Sequence, residues 1–215
     1  MDPIESINPK KDSTLAMMLA ANRRNWQVSV FSQSDVRVEN SHILIKRRQV
    51  IPSDNHNKWF SVEREDEVNG DFFDAVLMRK DPPFNMEYIY ATYLLEMIEA
   101  NGTPVLNKPG SIRDCNEKLF ALRFPECVPE HIVSKDQDKL REFHAKHGDV
   151  IYKPLDGMGG TSIFRAGKKE HNLAVIIETL TQNGRVQTMA QKYIPAIVDG
   201  DTRILLINGD PVPYG

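Results

Sequence analysis

Short apolar runs alternate with an amphipathic segment in the first half of the chain. Strands are predicted for three such runs, at residues 27–31, 75–78 and 103–106, and the run at 75–78 is of the kind typical of a buried strand. Residues 86–100 repeat apolar positions every three or four residues, which predicts a helix. Asn101-Gly102 should end this helix, because glycine tolerates the left-handed conformation at a helix C-terminus. The alternation predicts an α/β domain with a mainly parallel sheet.

A hairpin interrupts this alternation early in the chain. Strand-like runs at residues 35–39 and 43–51 flank Asn40-Ser41, which predicts a turn between them. The second run contains the basic stretch Lys46-Arg47-Arg48. Because lysines at a sheet edge discourage pairing with other chains, this stretch predicts a solvated edge strand.

The second half of the chain has shorter strands with helices between them. Strands are predicted at residues 131–133, 150–153, 162–165, 186–191 and 203–207. Helices are predicted at residues 111–122, 136–147 and 172–181. Asn208-Gly209 predicts a two-residue hairpin, since both residues favour positive φ. The pattern indicates an α+β domain with antiparallel pairing.

Proline and glycine interrupt both neighbouring segments at residues 107–110, which places a domain boundary there. We expect a first domain over residues 1–108 and a second that begins with a subdomain over residues 109–193. Residues 194–215 would then begin a second subdomain. Asp2-Pro3 resembles the loop after a strand, and the last hairpin has barely begun its second strand at the C-terminus. The sequence is therefore expected to be a fragment of a longer chain.

Composition and charge exclude several classes of protein. Hydrophobic residues make up 40% of the chain and charged residues 27%, which is ordinary for a soluble globular protein. The formal net charge of −3, without a long basic block, predicts no nucleic-acid binding. Nowhere do 18 apolar residues run together, so no membrane span is expected. The two cysteines, Cys115 and Cys127, are interpreted as free thiols of a cytoplasmic protein.

A lysine followed by a glycine-rich turn is the most informative motif. It reads Lys153-Pro154-Leu155-Asp156-Gly157-Met158-Gly159-Gly160-Thr161-Ser162. Glycines let the backbone approach a phosphate closely, and a lysine at a strand end adds a cation for the same phosphates. The spacing fits neither a P-loop nor a dinucleotide-binding fingerprint. A glycine-rich hairpin with a solvent-facing lysine is the structural alternative, and the three closely spaced glycines favour phosphate binding.

Four other motifs gain meaning only in combination with that loop. Lys118, on a predicted helix, could supply a second cation, although a solvated lysine is the common case. The strand and linker of residues 189–195 could offer backbone hydrogen bonds to a flat heterocycle, but spacing alone favours an ordinary buried strand. Asp201 and Arg203 could contact ribose and phosphate, and a salt-bridged turn would explain them equally well.

The fourth motif, Met78-Arg79-Lys80-Asp81-Pro82-Pro83-Phe84, follows a predicted buried strand. Ligands of open α/β sheets bind at the carboxyl ends of strands, and two cations there could receive a carboxylate. A rigid charged loop without a ligand explains the motif about as well.

Taken together, these motifs resemble prokaryotic glutathione synthetases along nearly the whole chain. The resemblance is carried by Met1-Asp2-Pro3-Ile4, Arg79-Lys80-Asp81-Pro82-Pro83-Phe84, Ile89-Tyr90-Ala91-Thr92-Tyr93, Asn107-Lys108-Pro109, Asp114-Cys115-Asn116-Glu117-Lys118-Leu119, the glycine loop and Pro211-Val212-Pro213-Tyr214. It implies a pre-ATP-grasp domain followed by an incomplete ATP-grasp domain.

The resemblance also implies roles for individual residues. Lys118 and Lys153 match the two lysines that contact ATP phosphates, and Asp201 matches a ribose contact. Arg203 matches a catalytic arginine on the phosphate side. The loop over the phosphates corresponds to Gly157, Met158, Gly159 and Gly160, and the adenine-contacting linker to Gln191, Lys192, Tyr193 and Ile194. Arg79 and Asp81 fall in a loop used near the peptide substrate.

The implied reaction joins γ-glutamylcysteine to glycine with ATP and Mg²⁺ or Mn²⁺. An acyl phosphate forms first, and ADP and phosphate are released. The metal ligands of the family fall beyond Gly215, so none is assigned here, and this polypeptide alone is expected to be inactive. The implied partners are the two substrates and ATP, and the full-length protein could form a homo-oligomer. The alternatives are another ATP-grasp carboxylate–amine ligase and an inactive nucleotide-binding fragment.

Overall fold

A computed structural model describes residues 1–213, and Tyr214 and Gly215 lie outside the described part. The end of the last family-like string, at Tyr214, is therefore without a structural account. The chain forms two compact units. The first comprises Met1–Glu117 with Asp156–Met158, and the second comprises Lys118–Leu155 with Gly159–Gly215.

Both units mix helices and strands. The strands are β1 Val28–Val30, β2 Val36–Glu39, β3 His42–Pro52, β4 Phe60–Asn69, β5 Val76–Leu77, β6 Val105–Leu106, β7 His131–Ser134, β8 Val150–Pro154, β9 Phe164–Ala166, β10 Thr188–Lys192, β11 Leu206–Ile207 and β12 Asp210–Pro211. The α-helices are α1 Ser13–Asn22, α2 Met86–Ala100, α3 Pro109–Asp114, α4 Gln137–His147 and α5 Leu173–Thr181. The predicted α/β class is confirmed. No helix among residues 1–213 is both long enough and apolar enough to cross a membrane.

The first unit contains a four-stranded sheet in which β3 pairs antiparallel with β1, β2 and β4. Parallel pairing joins only β5 and β6 among the described strands. The parallel part of this domain is thus smaller than the sequence pattern predicted. The reason is that β3 follows β2, and β4 follows β3, through hairpin connections, which produce antiparallel neighbours.

The hairpin between β2 and β3 turns where it was expected. Asn40 and Ser41 have φ of 48° and 67°, in the left-handed region. β3 is nevertheless a central strand, so the edge-strand interpretation of its basic run is wrong. Arg47 is buried, and its guanidinium donates to Asp66 at 2.8 and 3.3 Å and to Ser29 Oγ at 2.9 Å. A buried arginine is tolerated here because a carboxylate of the neighbouring strand β4 pairs with it.

The long strand β4 was not predicted. Most of its ten residues are charged or polar and exposed, so apolar alternation is too weak to reveal it.

The core of the first unit packs α2 and α1 against the four-stranded sheet and β5–β6. Its buried residues include Ile43, Ile45, Val76, Leu95, Ile98 and Val105 in one cluster and Ile4, Leu15, Met18, Val30 and Val50 in another. α2 has the predicted bounds, and its N-cap Asn85 accepts a hydrogen bond from the Tyr88 N–H.

The second unit contains a four-stranded antiparallel sheet in the order β7-β10-β8-β9. α4 and α5 cover one face with a core of Leu140, Val150, Tyr152, Ala166, Ile176, Ile177, Leu180 and Ala190. The Tyr152 hydroxyl donates to the Leu140 carbonyl at 3.2 Å. Burial raises the pKa of this phenol far above its ordinary value.

Two predicted elements are shorter than expected. The helix predicted at residues 111–122 is divided into α3 and a 3-10 turn at Phe120–Arg123, because Cys115 leaves the helical region at φ −104° and ψ 65°. The strand predicted at residues 203–207 is reduced to β11, because only Leu206 and Ile207 find pairing partners, in β12. The turn between β11 and β12, at Asn208-Gly209, is as predicted, with φ of 53° and 88°. Cys115 and Cys127 are free thiols and exposed.

Candidate functional site

Strand β8 presents Lys153 just before the glycine loop. Val150 and Tyr152 point into the core of the second unit, so the alternation of the strand directs Lys153 to the opposite face. Its register partner is Met189 in the central strand β10. The lysine is therefore held at the end of a strand whose position is fixed by pairing on both sides.

The glycine loop adopts a conformation that few other residues tolerate. Gly157, Gly159 and Gly160 have φ of 89°, 67° and 75°, in the left-handed region. A β-carbon built at any of the three would meet nothing within 4 Å. The glycines are thus required by the backbone conformation and not by close packing. Open space beside closely spaced left-handed glycines suits an anion-binding loop, because neighbouring N–H groups can turn toward one ligand.

Lys118 does not lie on a helix as predicted. It sits in the turn between α3 and the 3-10 turn at Phe120–Arg123, since α3 ends at Asp114. Lys118 and Lys153 both belong to the second unit.

The linker of residues 191–194 leaves the central strand of the second unit at its end. The Lys192 N–H donates to the Glu130 carbonyl at 2.8 Å, and the Tyr193 N–H donates to the Asp149 carbonyl at 3.0 Å. Within residues 1–213, the Ile194 N–H has no hydrogen-bond acceptor. The linker therefore offers one N–H donor to a ligand at a position set by the two bonds before it.

Glu130 secures the same linker through its side chain. Its carboxylate lies 3.4 Å from Lys192 Nζ and 3.3 Å from Lys146 Nζ, and His147 Nε2 is 3.7 Å away. The hydrogen bonds from Lys146 and then Lys192 lower the pKa of this carboxyl. Sequence reasoning missed both Glu130 and Asp149. No local signal marks them, because strand pairing brings them beside a linker more than 40 residues further along the chain.

Asp201 and Arg203 lie in an irregular exposed segment and not at the start of a strand as predicted. Gly200 precedes them with φ 106°. In the part of the chain that the structure describes, neither side chain makes a hydrogen bond or an ion pair, so the alternative of a salt-bridged turn is not formed there.

The loop after β5, in the first unit, is tightly held by side chains. Arg79 donates to Ser13 Oγ at 2.7 Å and to Thr14 Oγ1 at 3.1 Å. The carboxylate of Asp2 pairs with Lys80 at 2.7 Å and accepts the Asp81 N–H at 2.8 Å. Partial burial raises the pKa of Asp2, but the bonds from Lys80 and from the Asp81 N–H outweigh it and lower the pKa overall. Both predicted substrate residues, Arg79 and Asp81, thus belong to a preorganised loop.

A metal centre is not formed by the described residues. Among residues 1–213, no three side chains of the His, Cys, Asp or Glu type come together as potential ligands of a metal ion. No metal ligand is therefore assigned among these residues.

Comparisons with protein families match both parts of the chain. The model of the prokaryotic glutathione synthetase N-terminal domain matches residues 1–113, and that of the prokaryotic glutathione synthetase ATP-grasp domain matches residues 117–215. A glutathione synthetase of Photorhabdus laumondii is 51% identical over 214 residues, which span 100% of this chain and 68% of that protein. One of Pseudomonas syringae is 54% identical over 214 residues, which span 100% of this chain and 67% of that protein.

Solved structures agree with this fold at low sequence identity. The RimK domain protein ATP-grasp from Sphaerobacter thermophilus superposes with a TM-score of 0.54 and 17% identity, over 86% of this chain and 61% of that one. The macrocyclase MdnC from Microcystis aeruginosa, solved with its precursor peptide MdnA, gives 0.51 and 12%, over 86% and 63%. The chain spans about three fifths of each, and the likeness concerns the ATP-grasp fold alone.

Proposed function

The chain belongs to the prokaryotic glutathione synthetase family, and we propose that it carries the peptide-binding and ATP-binding parts of an enzyme that joins γ-glutamylcysteine to glycine with ATP. The observation that carries the proposal is the pairing of Lys153 with the glycine loop after β8, in a chain that is 51% and 54% identical to two glutathione synthetases. Left-handed glycines with open space beside them support phosphate binding by this loop, and the sequence identity to glutathione synthetases supports the ligase assignment.

The proposed chemistry has two steps. An oxygen of the cysteinyl carboxylate attacks the γ-phosphorus of ATP, the bond to the bridging oxygen breaks, and ADP leaves with its electron pair. The glycine amine then attacks the acyl carbon, inorganic phosphate leaves, and the amine proton passes to solvent. Such a phosphoryl transfer needs alignment and neutralisation of charge more than a protein nucleophile. Lys118, Lys153 and the backbone of the glycine loop supply that neutralisation from this chain.

The base of ATP is proposed to lie against the linker of residues 191–194. The free N–H of Ile194 can donate to N1 of adenine, which is an acceptor. Guanine presents an N–H donor at the same position, so two donors would face each other and the site would leave a polar group unpaired. Gln191, Lys192 and Tyr193 complete the linker, Asp201 is proposed to bind ribose, and Arg203 to meet the phosphates on the catalytic side.

The peptide substrate is assigned to the loop after β5. Arg79 uses part of its guanidinium on Ser13 and Thr14, which orients the remainder toward an incoming carboxylate. Asp81, whose N–H is fixed by Asp2, is proposed to receive the substrate's ammonium group.

Three further assignments belong to the proposal. Its domains are residues 1–108, 109–193 and 194–215. The protein works in the cytoplasm, in keeping with two exposed free thiols. Magnesium is the family's implied metal; no group of three potential ligands forms among residues 1–213, and no step above is routed through a metal ion.

Steady-state assays test the proposal directly. Purified protein that spans the full length of the curated relatives should release ADP and phosphate only when ATP, γ-glutamylcysteine and glycine are all present, and ATP should be preferred to GTP. ADP release that depends on D-alanine and not on γ-glutamylcysteine would assign the chain to another ATP-grasp ligase. Nucleotide binding without product would favour the inactive nucleotide-binding alternative.

A further inference from the structure

Arg165 lies on the short strand β9 and contacts the linker of residues 191–194. It is not among the residues assigned to a ligand above. Its guanidinium carbon lies 3.6 Å from the centre of the Tyr193 ring, so the two planar groups are in direct contact. Nε and Nη2 of the same guanidinium donate to the two carboxylate oxygens of Asp149 at 3.0 and 2.8 Å. The fork-shaped pair fixes the orientation of the guanidinium plane over the ring.

Asp149 joins this contact to the backbone of the linker. While its carboxylate holds Arg165, its carbonyl accepts the Tyr193 N–H at 3.0 Å. The ring and the backbone of Tyr193 are therefore restrained by the same two residues. The next donor along the chain is the unpaired Ile194 N–H, whose direction depends on how Tyr193 is held.

We infer that Arg165 is a positioning residue for nucleotide binding, which holds the Tyr193 ring and so fixes the direction of the Ile194 N–H. The inference rests on the proposed function, because it takes the linker of residues 191–194 to be where the base binds. It adds a residue that would not touch the nucleotide and would act through Tyr193.

The exposure of the pair argues against a role confined to stability. The Arg165 side chain is 53% exposed and that of Asp149 is 38% exposed. Exposed ion pairs contribute little to the stability of a fold. The bidentate ion pair and the contact with the Tyr193 ring are better explained by a role in restraining the linker at the point where it leaves β10.

Amide hydrogen exchange tests the restraint without any ligand. In Arg165→Lys the charge remains but the planar fork is lost. We expect the Tyr193 amide to exchange about tenfold faster in this variant. Arg141→Lys, which alters a partly exposed arginine on α4 that also pairs with a carboxylate, is the matched control and should leave that amide unchanged. Asp149→Asn keeps the carbonyl and weakens the fork, so it should act in the same direction. If the Tyr193 amide exchanges at the wild-type rate in both Arg165→Lys and Asp149→Asn, the inference is overturned.

Calorimetric titration with ATP tests the consequence. Arg165→Lys should raise the Kd for ATP about three- to tenfold, with the melting temperature and the Kd for γ-glutamylcysteine unchanged. Because Arg165 acts through Tyr193, the double variant Arg165→Lys/Tyr193→Leu should bind ATP no more weakly than Tyr193→Leu. Additive losses, or an unchanged Kd despite faster exchange, would overturn the inference. Wild-type protein that binds no ATP would defeat the proposed function and this role with it, and the exchange data would show whether the restraint itself exists.

Discussion

Two loops that follow strand ends carry residues assigned to substrates, and they are built in opposite ways. The loop after β5 is held by side chains, since Arg79 is bonded to α1 and Asp2 binds both Lys80 and the Asp81 N–H. The loop after β8 is shaped by its backbone, with glycines in the left-handed region and no atom near their missing side chains.

The difference indicates how each loop would recognise its ligand. A loop whose charges are partly satisfied by its own unit presents the remaining donors in a fixed direction, which suits a substrate with several distinct groups. A glycine loop presents N–H groups to one concentrated charge, which suits a phosphate. Substitutions in the first loop should therefore change peptide affinity and local stability, whereas those in the second should change nucleotide binding and turnover.

The largest expected effect is that of Lys153→Ala. Removing a cation that meets charge developing on the transferred phosphoryl group should cost about 2–4 kcal/mol of barrier, or about 30- to 1000-fold in turnover. ADP formation with all three substrates measures it, and Lys169→Ala, an exposed lysine, is the control. If the melting temperature falls in proportion to activity, Lys153 has a structural role and the contrast between the loops is lost.

Gly159→Ala probes the backbone of the second loop. A residue with a side chain disfavours the observed φ of 67° by about 1–2 kcal/mol, and an added β-carbon would meet no atom within 4 Å that could hold it there. Affinity for ATP should fall about five- to thirtyfold with little change in melting temperature. Gly167→Ala is the matched control, because that glycine also has open space around it but no positive φ. Equal losses in the two variants would contradict the backbone explanation.

Arg79→Lys should act on the peptide substrate alone. Lysine retains the charge but cannot bond α1 and a carboxylate together through a planar fork. We expect the KM for γ-glutamylcysteine to rise about tenfold while the affinity for ATP is unchanged. Arg23→Lys, at the exposed end of α1, controls for the loss of an arginine. A change in ATP affinity of similar size would show that the loop does not serve the peptide specifically.

The smallest effect concerns the pH dependence of stability through Asp2. Its pKa is lowered in the folded state, so the ionised carboxylate stabilises the fold above the ordinary pKa of about 4. That contribution disappears as the pH falls through the lowered value. Asp2→Asn should cost about 1 kcal/mol or less at pH 7, and the melting temperatures of variant and wild type should converge as the pH falls through the lowered pKa of Asp2. Asp54→Asn, which removes an exposed carboxylate, serves as the control. A difference in melting temperature between Asp2→Asn and wild type that persists at acidic pH would contradict a stabilising role of the ionised Asp2 carboxylate.

Local signals predicted the fold wherever a few neighbouring residues dictate the backbone. The bounds of α2 and the turns at residues 40–41 and 208–209 all follow from capping, periodicity or turn chemistry. β4 was not predicted, because a strand with mostly polar, exposed residues has little apolar alternation. The central position of β3 was not predicted either, because its basic run was interpreted without reference to the neighbouring strand β4. Arg47 can be buried only because Asp66, 19 residues away, lies opposite it.

The same division holds for the candidate site. Residue type and order along the chain were enough to single out Lys153, its glycine loop, the linker and the loop of Arg79, because cation, glycine and strand end are neighbours in sequence. Which linker N–H remains available, and which residues hold it, depends on Glu130, Asp149 and Arg165. These come beside Tyr193 through the antiparallel register of β7, β10, β8 and β9. Register is set by the packing of whole strands, so no short stretch of sequence contains it.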